Sequence, residues 1–261
     1  MDLSVIDKIA EELYQAEKTG NPIKQLTIQY PDITVDEAYA IQLAGRKLRE
    51  ADGREVVGAK IGLTSKAMQH IYNVYEPDYG YILDDMVITE NEPIKMSECQ
   101  APKVEAEIAF ILKRPLEGPG VTVADVLRAT AGVMPCLEII DSRYEPGAIK
   151  IQDTVADIAS IGKVVLGGAL TPVADIDLRY TGLVFEKSGE VISTAAGAAV
   201  LGHPAAAVAW LANKLSSYGV TLRKGDIVIS GSLIAACGVE AGDSVRATFD
   251  RLGSVSARFV K

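Results

Sequence analysis

Histidine and cysteine are scarce in this chain. The histidines are His70 and His203 alone, too few for a His-rich metal site and a weak basis for a Ser-His-Asp triad. The three cysteines, Cys99, Cys136 and Cys237, are odd in number, widely separated and free of Cys-x-x-Cys spacing. That argues against a disulfide framework or a zinc cluster and fits a reducing cytoplasm. Basic residues are outnumbered, 26 Lys and Arg against 35 Asp and Glu, for a net charge of −9. Phosphate binding needs a basic face, so nucleic acid is not expected as a partner. No apolar run approaches the ~20 residues that span a bilayer. Acids follow Met1 too closely for a secretory leader, and no membrane association is expected. The glycine-rich pieces 197–202 and 231–233 lack the Lys-Ser/Thr of a P-loop and the G-x-G-x-x-G of a dinucleotide site, and no G-x-S-x-G elbow occurs.

What remains is an ordinary globular balance, 48% hydrophobic and 23% charged over 261 residues, enough for one large domain or one with a small appendage. Leu3, Ile6, Ile9, Ala10 and Leu13 recur at helical spacing up to Gly20, and the Thr34–Glu37 capping box opens a second helix with Ala38, Ile41, Ala44 and Leu48 on one face. Residues 1–54 therefore read as a helical N-terminal part, and 55–261 as a catalytic domain of short strands. Strands are expected at 55–63, 81–88, 103–112, 134–140, 164–166, 227–230, 244–249 and 254–260. One or two helical turns are expected at 66–74, a short helix capped by Thr122, a hairpin around Lys187-Ser-Gly-Glu190, and a helix from Pro204 to Leu215 ended by Gly219. The helices are scattered rather than alternating with strands, which favours an α+β architecture with a mixed, curled or barrel-like sheet over a doubly wound one.

Acids interrupt two of the most apolar strands. Glu105 and Glu107 lie in Lys-Val-Glu-Ala-Glu-Ile-Ala-Phe-Ile-Leu (103–112), and Glu138 in Pro-Cys-Leu-Glu-Ile-Ile-Asp (135–141). Side chains alternate in a strand, so Glu105 and Glu107 share a face about 7 Å apart and repel unless something positive lies between them. Spacing leaves two readings open: solvent-facing acids, or three carboxylates gripping a hard divalent cation such as Mg²⁺ or Mn²⁺. Lys60, between glycines in Val-Gly-Ala-Lys-Ile-Gly-Leu (57–63), is either an edge lysine reaching for water or a buried one with a lowered pKa suited to proton transfer. Asp78, in Glu-Pro-Asp-Tyr-Gly (76–80), reads first as a turn residue and second as a base. His203 reads as structural, beside the start of a helix, and Cys136 as a small core residue.

Beyond these, Lys-Ile-Gly-Leu-Thr-Ser-Lys-Ala (60–67), Leu-Glu-Ile-Ile-Asp-Ser-Arg (137–143), Ile-Gln-Asp-Thr-Val-Ala-Asp (151–157), Gly-Ala-Ala-Val-Leu-Gly-His-Pro (197–204), Ala-Trp-Leu-Ala-Asn-Lys-Leu (209–215) and Leu-Gly-Ser-Val-Ser-Ala-Arg-Phe (252–259) stand out. With the acid-bearing strands and the Asp78 segment, they run in order along nearly the whole chain. Together they resemble the hydratase/decarboxylase branch of the fumarylacetoacetate hydrolase superfamily, in particular the 2-hydroxypenta-2,4-dienoate (2-oxopent-4-enoate) hydratases of aromatic meta-cleavage catabolism. The resemblance implies a mixed β-roll with a small helical N-terminal part, a homo-oligomer, and Mg²⁺ or Mn²⁺ held by Glu105, Glu107 and Glu138. It also implies Lys60 and Asp78 as acid/base groups, and Ser160 and Leu63 as substrate contacts.

Within that branch the rival activities are decarboxylation of 4-oxalocrotonate and hydration of the seven-carbon diacid 2-oxohept-4-ene-1,7-dioate. Asp78 favours hydration, because decarboxylases of the branch carry an apolar residue at this point of the motif. The chain departs from the branch at Ile158, in Ala-Asp-Ile-Ala-Ser (156–160), where an asparagine is usual; an amide contact is lost there. A non-enzymatic alternative is a structural subunit partnering a sister hydratase or decarboxylase. Carbon–carbon hydrolysis would need an early water-activating His/Glu pair, and His70 has no such setting.

Overall fold

Patterned sequence becomes local structure first at the N-terminus. The computed structural model describes residues 1–71 and 73–261. Helix α1 (Leu3–Thr19) buries Ile6, Ile9, Ala10 and Leu13, one stripe of its surface, and ends at Gly20 in the left-handed conformation (φ 69°). After the short α2 (Leu26–Gln29), α3 (Val35–Ala51) starts at a complete capping box: Thr34 accepts from the Glu37 amide, and the Glu37 carboxylate accepts from the Thr34 amide. In sequence order there follow β1 (Val56–Gly62), α4 (Lys66–Ile71), β2 (Asp78–Leu83), β3 (Val87–Thr89), β4 (Ile94–Lys95) and β5 (Lys103–Leu112). Next come α5 (Val123–Ala129), β6 (Thr130–Ile140), α6 (Ile151–Ala156), β7 (Ile161–Leu166), β8 (Gly182–Lys187) and β9 (Glu190–Ala196). The chain closes with α7 (Pro204–Ser216), β10 (Ile227–Ile229), β11 (Cys237–Gly238), β12 (Ser244–Phe249) and β13 (Gly253–Val260). The helical expectation for 66–74 is met over α4; it also covers Tyr72, which lies outside the described residues.

The strands build two sheets. The larger runs β2–β1–β10–β5–β6–β7–β3, with β11 against the start of β5; the smaller runs β4–β13–β12–β8–β9. The larger is mixed: β1 pairs with β10 and β3 with β7 in parallel, and the other pairings are antiparallel. This is the mixed α+β architecture with a curled sheet that the strand pattern suggests. One apolar cluster fills the space between the helices and one face of the larger sheet, joining Ile9 and Ile41 to Ile108, Phe110, Val228 and the inner residues of the smaller sheet, such as Phe185 and Val255. A second, smaller cluster lies on the other face: Ala109, Cys136, Ile158, Ile161, Val164 and Ile229. The site occupies that second face.

Two sequence readings need correction. The single strand expected at 81–88 is two strands split by a 3₁₀ turn at Asp84–Met86, and they lie on opposite edges of the larger sheet. Continuous hydrophobicity could not show the break, because a fully buried strand, β2, runs through the turn into a partly buried one, β3. Asp78 is not in a turn. It opens β2, opposite Gly62 of β1, and is buried.

Candidate active site

The apolar pattern of β5 fixes where its acids point. Val104, Ala106, Ile108 and Phe110 are fully buried in the larger cluster. Alternation then turns Glu105 and Glu107 to the opposite face. On β6 the same face carries Glu138, which stands directly opposite Glu105 in the β5–β6 ladder. Glu107 and Glu138 are 0% exposed. One carboxylate oxygen from each of Glu105, Glu107 and Glu138 lies within 4.8 Å of the others.

Lys60 comes to the same point from β1. Strands β10 and β5 separate β1 from β6, so a flat sheet would hold the Lys60 and Glu138 backbones more than about 14 Å apart. The sheet curls around this face, and the Lys60 Nζ stands 3.1 Å from Glu138 Oε1. It is an ion-pair contact without hydrogen-bond alignment, since neither Glu138 oxygen receives an aligned donor. Asp78 joins from β2. A Cβ on Gly62 would fall 2.1 Å from Asp78 Oδ1, so only glycine leaves room for this carboxyl.

Charge counting shows what the site lacks. With all three glutamates ionised, one ammonium would leave two negative charges uncompensated, and at an effective dielectric of 20 each carboxylate pair at 4.8 Å would cost about 3.5 kcal/mol. Burial, and after it the Glu138 charge, raises Glu105 to about 8 and Glu107 well above the carboxylate range. Burial also raises Asp78, against the pull of Lys60. For Lys60 the sequence expectation reverses. Burial lowers its pKa, but the carboxylates of Glu138, Asp78, Glu105 and Glu107 outweigh burial and hold it above the ordinary lysine value. Glu107 Oε1, both Glu138 oxygens and Asp78 Oδ1 are buried without a hydrogen-bond donor. Converging anionic oxygens with spare lone pairs and a deficit of two positive charges fit one hard divalent cation.

Two features of the site escape sequence reading. The Gly231 amide donates to Glu107 Oε2 at 2.8 Å, locking one of the three acids. More unusual is the turn that carries Ser160. Ile158, Ala159 and Ser160 all have positive φ (52°, 51° and 57°), one turn of left-handed backbone. Each such non-glycine residue costs about 1–3 kcal/mol, and a β-branched residue there is rarer still. The Ile158 side chain fills the smaller apolar cluster, so the position where an amide was expected is an apolar plug. The turn lies against β2: a Cβ on Gly80 would fall 2.4 Å from the Ile158 carbonyl oxygen, and Gly80 is the ladder partner of Lys60. Ser160, the last residue of this turn, is buried. Leu63, half-buried and also left-handed (φ 55°), follows β1 directly, and its carbonyl accepts from Gln69 Nε2 at 2.9 Å. His203 caps α7, its Nδ1 accepting from the Ala205 amide at 3.0 Å, and is structural as expected.

Comparison with known proteins places this geometry. The chain is 48% identical over 221 residues to a 2-hydroxypent-2,4-dienoate hydratase of Pseudomonas putida, covering 84% of this chain and 100% of that one. It is 42% identical over 262 residues to a 2-hydroxyhexa-2,4-dienoate hydratase of Comamonas testosteroni, covering 100% and 99% of the two chains. Among solved structures, 4-oxalocrotonate decarboxylase from Pseudomonas putida G7, complexed with magnesium and adipate, superposes with a TM-score of 0.96 at 39% identity over 100% of this chain and 99% of that one. With its residues 57–260 matching the family's sequence profile and these relatives spanning its length, the chain belongs to the fumarylacetoacetate (FAA) hydrolase C-terminal family.

Proposed function

We propose that the chain is a metal-dependent hydro-lyase that adds water to 2-hydroxypenta-2,4-dienoate to give 4-hydroxy-2-oxopentanoate. The observation that carries the reading is the converging trio Glu105, Glu107 and Glu138, two of them fully buried, beside Lys60 and Asp78. Glu105, Glu107 and Glu138 would hold Mg²⁺ or Mn²⁺, which supplies Lewis-acid polarisation of an α-oxo acid when bound. Relatives named as hydratases of such dienoates, and a magnesium-bound relative of the same fold, support the assignment.

The remaining work falls to the chain's own side chains. The dienol takes a proton at C5 as its C2 hydroxyl gives one up, yielding the enone. Water then adds at C4 while C3 takes a proton. Asp78, held toward its neutral form by burial, is suited to deliver and recover a proton. Lys60, held cationic by its carboxylate neighbours, is suited to stabilise negative charge that develops on oxygen. Ser160 and the Leu63 segment would contact the substrate at the Lys60 end. Homo-oligomeric assembly, association with a sister decarboxylase and cytoplasmic residence belong to the same reading. Among the described residues no helix is long and apolar enough to cross a membrane.

The decarboxylase of the same fold supplies the rival reading. Loss of dienol ultraviolet absorbance with and without Mg²⁺ or Mn²⁺, scored beside CO₂ release from 4-oxalocrotonate, separates the two. Metal-dependent dienol loss without CO₂ is expected; CO₂ release without dienol hydration would overturn the assignment.

A further inference from the structure

A left-handed turn of three non-glycine residues persists only where its surroundings over-determine it. Here the surroundings are one buried ion pair. Arg143, 4% exposed, follows β6, and Asp157, 1% exposed, immediately precedes the turn. Arg143 Nε donates to Asp157 Oδ1, and the Arg143 amide donates to Asp157 Oδ2 at 3.0 Å. The two outer nitrogens grip the backbone on either side of the turn: Nη2 donates to the Asp157 carbonyl at 2.6 Å, and Nη1 to the Ile161 carbonyl at 2.7 Å and the Asp141 carbonyl at 2.6 Å. The turn is tied again by the Asp141 amide, which donates to the Ser160 carbonyl at 2.9 Å, and by the Ser160 amide, which donates to the Asp157 carbonyl at 2.8 Å. One planar guanidinium thus spans the turn from residue 157 to residue 161. Lysine, with a single point of charge, cannot reproduce that span.

We infer that Arg143 and Asp157 are positioning residues of the active site: they hold Ile158–Ser160 in its left-handed form against Gly80 and so set Ser160 for the carboxylate end of the substrate. Neither is a catalytic residue, and neither belongs to the cation-holding trio. The inference rests on the proposed reading of Ser160 as a substrate contact. A fully bonded buried Arg–Asp pair elsewhere in a core would serve folding alone. This one clasps the strained segment that abuts the ladder partner of Lys60.

The test uses the full-length protein loaded with Mn²⁺, with oxalate as a non-reacting mimic of the metal-chelating end of an α-oxo acid. Arg143→Lys and Asp157→Asn are measured by calorimetry for Mn²⁺ and for oxalate, alone and combined with Ser160→Ala. Asp157→Asn keeps the side-chain shape and serves if Arg143→Lys fails to fold. Expected is an Mn²⁺ affinity within about twofold of wild type and an oxalate affinity reduced roughly tenfold or more, the scale of one lost hydrogen bond to a charged group. Each double variant should be no weaker than Ser160→Ala alone, because the pair acts through Ser160. Additive losses in the double variants would overturn the inference. So would parallel loss of Mn²⁺ and oxalate affinity, which marks general damage, or wild-type oxalate binding by Ser160→Ala. The two readings fail separately: absence of dienol hydration with a non-additive cycle sinks the proposed reaction and leaves the clamp, while hydration with an additive cycle does the reverse.

Discussion

Replacing Glu107 by glutamine removes one of three converging charges while keeping shape and an oxygen that can still accept from the Gly231 amide. In protein stripped of divalent ions the variant is expected to be more stable than wild type. Full ionisation would give two repulsions of about 3.5 kcal/mol each at the 4.8 Å separation. Burial already holds Glu107 and Glu105 toward their neutral forms, so only part of that repulsion exists near neutral pH. A gain of about 1–3 kcal/mol remains, which for a chain of this size raises the melting temperature by roughly 3–10 °C. With saturating Mn²⁺ the order inverts. Wild type gains about 4.1 kcal/mol at a free ion concentration of a thousand times Kd, and the variant, one ligand short, gains little. Thermal melts by circular dichroism, in EDTA and across an Mn²⁺ titration, read both halves. A Glu107→Gln protein that melts below wild type in EDTA, or that gains as much from Mn²⁺, would refute the charge-deficit argument.

Three further outcomes follow from the same geometry. Asp78→Asn should lower dienol hydration by about 10²–10⁴-fold while leaving Mn²⁺ affinity close to wild type; unchanged steady-state kinetics would remove Asp78 from the chemistry. The ion-free protein should lose stability with rising pH. Glu105 is raised in the fold from about 4.5 to about 8, so the folded state holds more protons than the unfolded one across that window. Its stabilisation is complete below the unfolded value and gone above the folded one. Urea midpoints in EDTA at pH 5.5 and 8.5 would show this as a fall, and a rise would contradict it. Gly80→Ala should disturb the Ser160 turn, because the added methyl would fall 2.4 Å from the Ile158 carbonyl. Weaker oxalate binding with intact Mn²⁺ binding is expected, and an unaffected oxalate isotherm would show that the turn can yield.

How much of this the sequence discloses depends on the range of the interaction. The strand at 103–112 is legible because alternation is local: buried Val104, Ala106, Ile108 and Phe110 force the acids to one side. The capping boxes at Thr34 and Thr122 and the hairpin at Ser188-Gly189, where both residues take positive φ, are equally local. The trio of acids is half local, since the pattern faces Glu105 and Glu107 together, and only the β5–β6 register sets Glu138 opposite Glu105. The meeting of Lys60 with Glu138 is not local at all; it needs β10 between them and the curl of the whole sheet. For the same reason the direction of the Lys60 pKa was unreadable, because four acids brought from three other strands decide it. Helix α6 and the strained turn after it left no periodic trace, being a six-residue helix followed by backbone that ordinary propensity disfavours. The one available signal was Arg143 itself, an arginine three residues after an apolar strand with an acid fourteen residues on.

The place of β10 bears on biosynthesis. The segments bearing Lys60, Asp78 and the three glutamates all leave the ribosome before Ile227–Ile229, the strand that seats one group beside the other. A chain lacking that strand carries every reactive side chain, and the β5–β6 ladder still pairs Glu105 with Glu138, but nothing seats Lys60 beside them. Closure of the centre thus waits on a strand that carries none of its reactive groups.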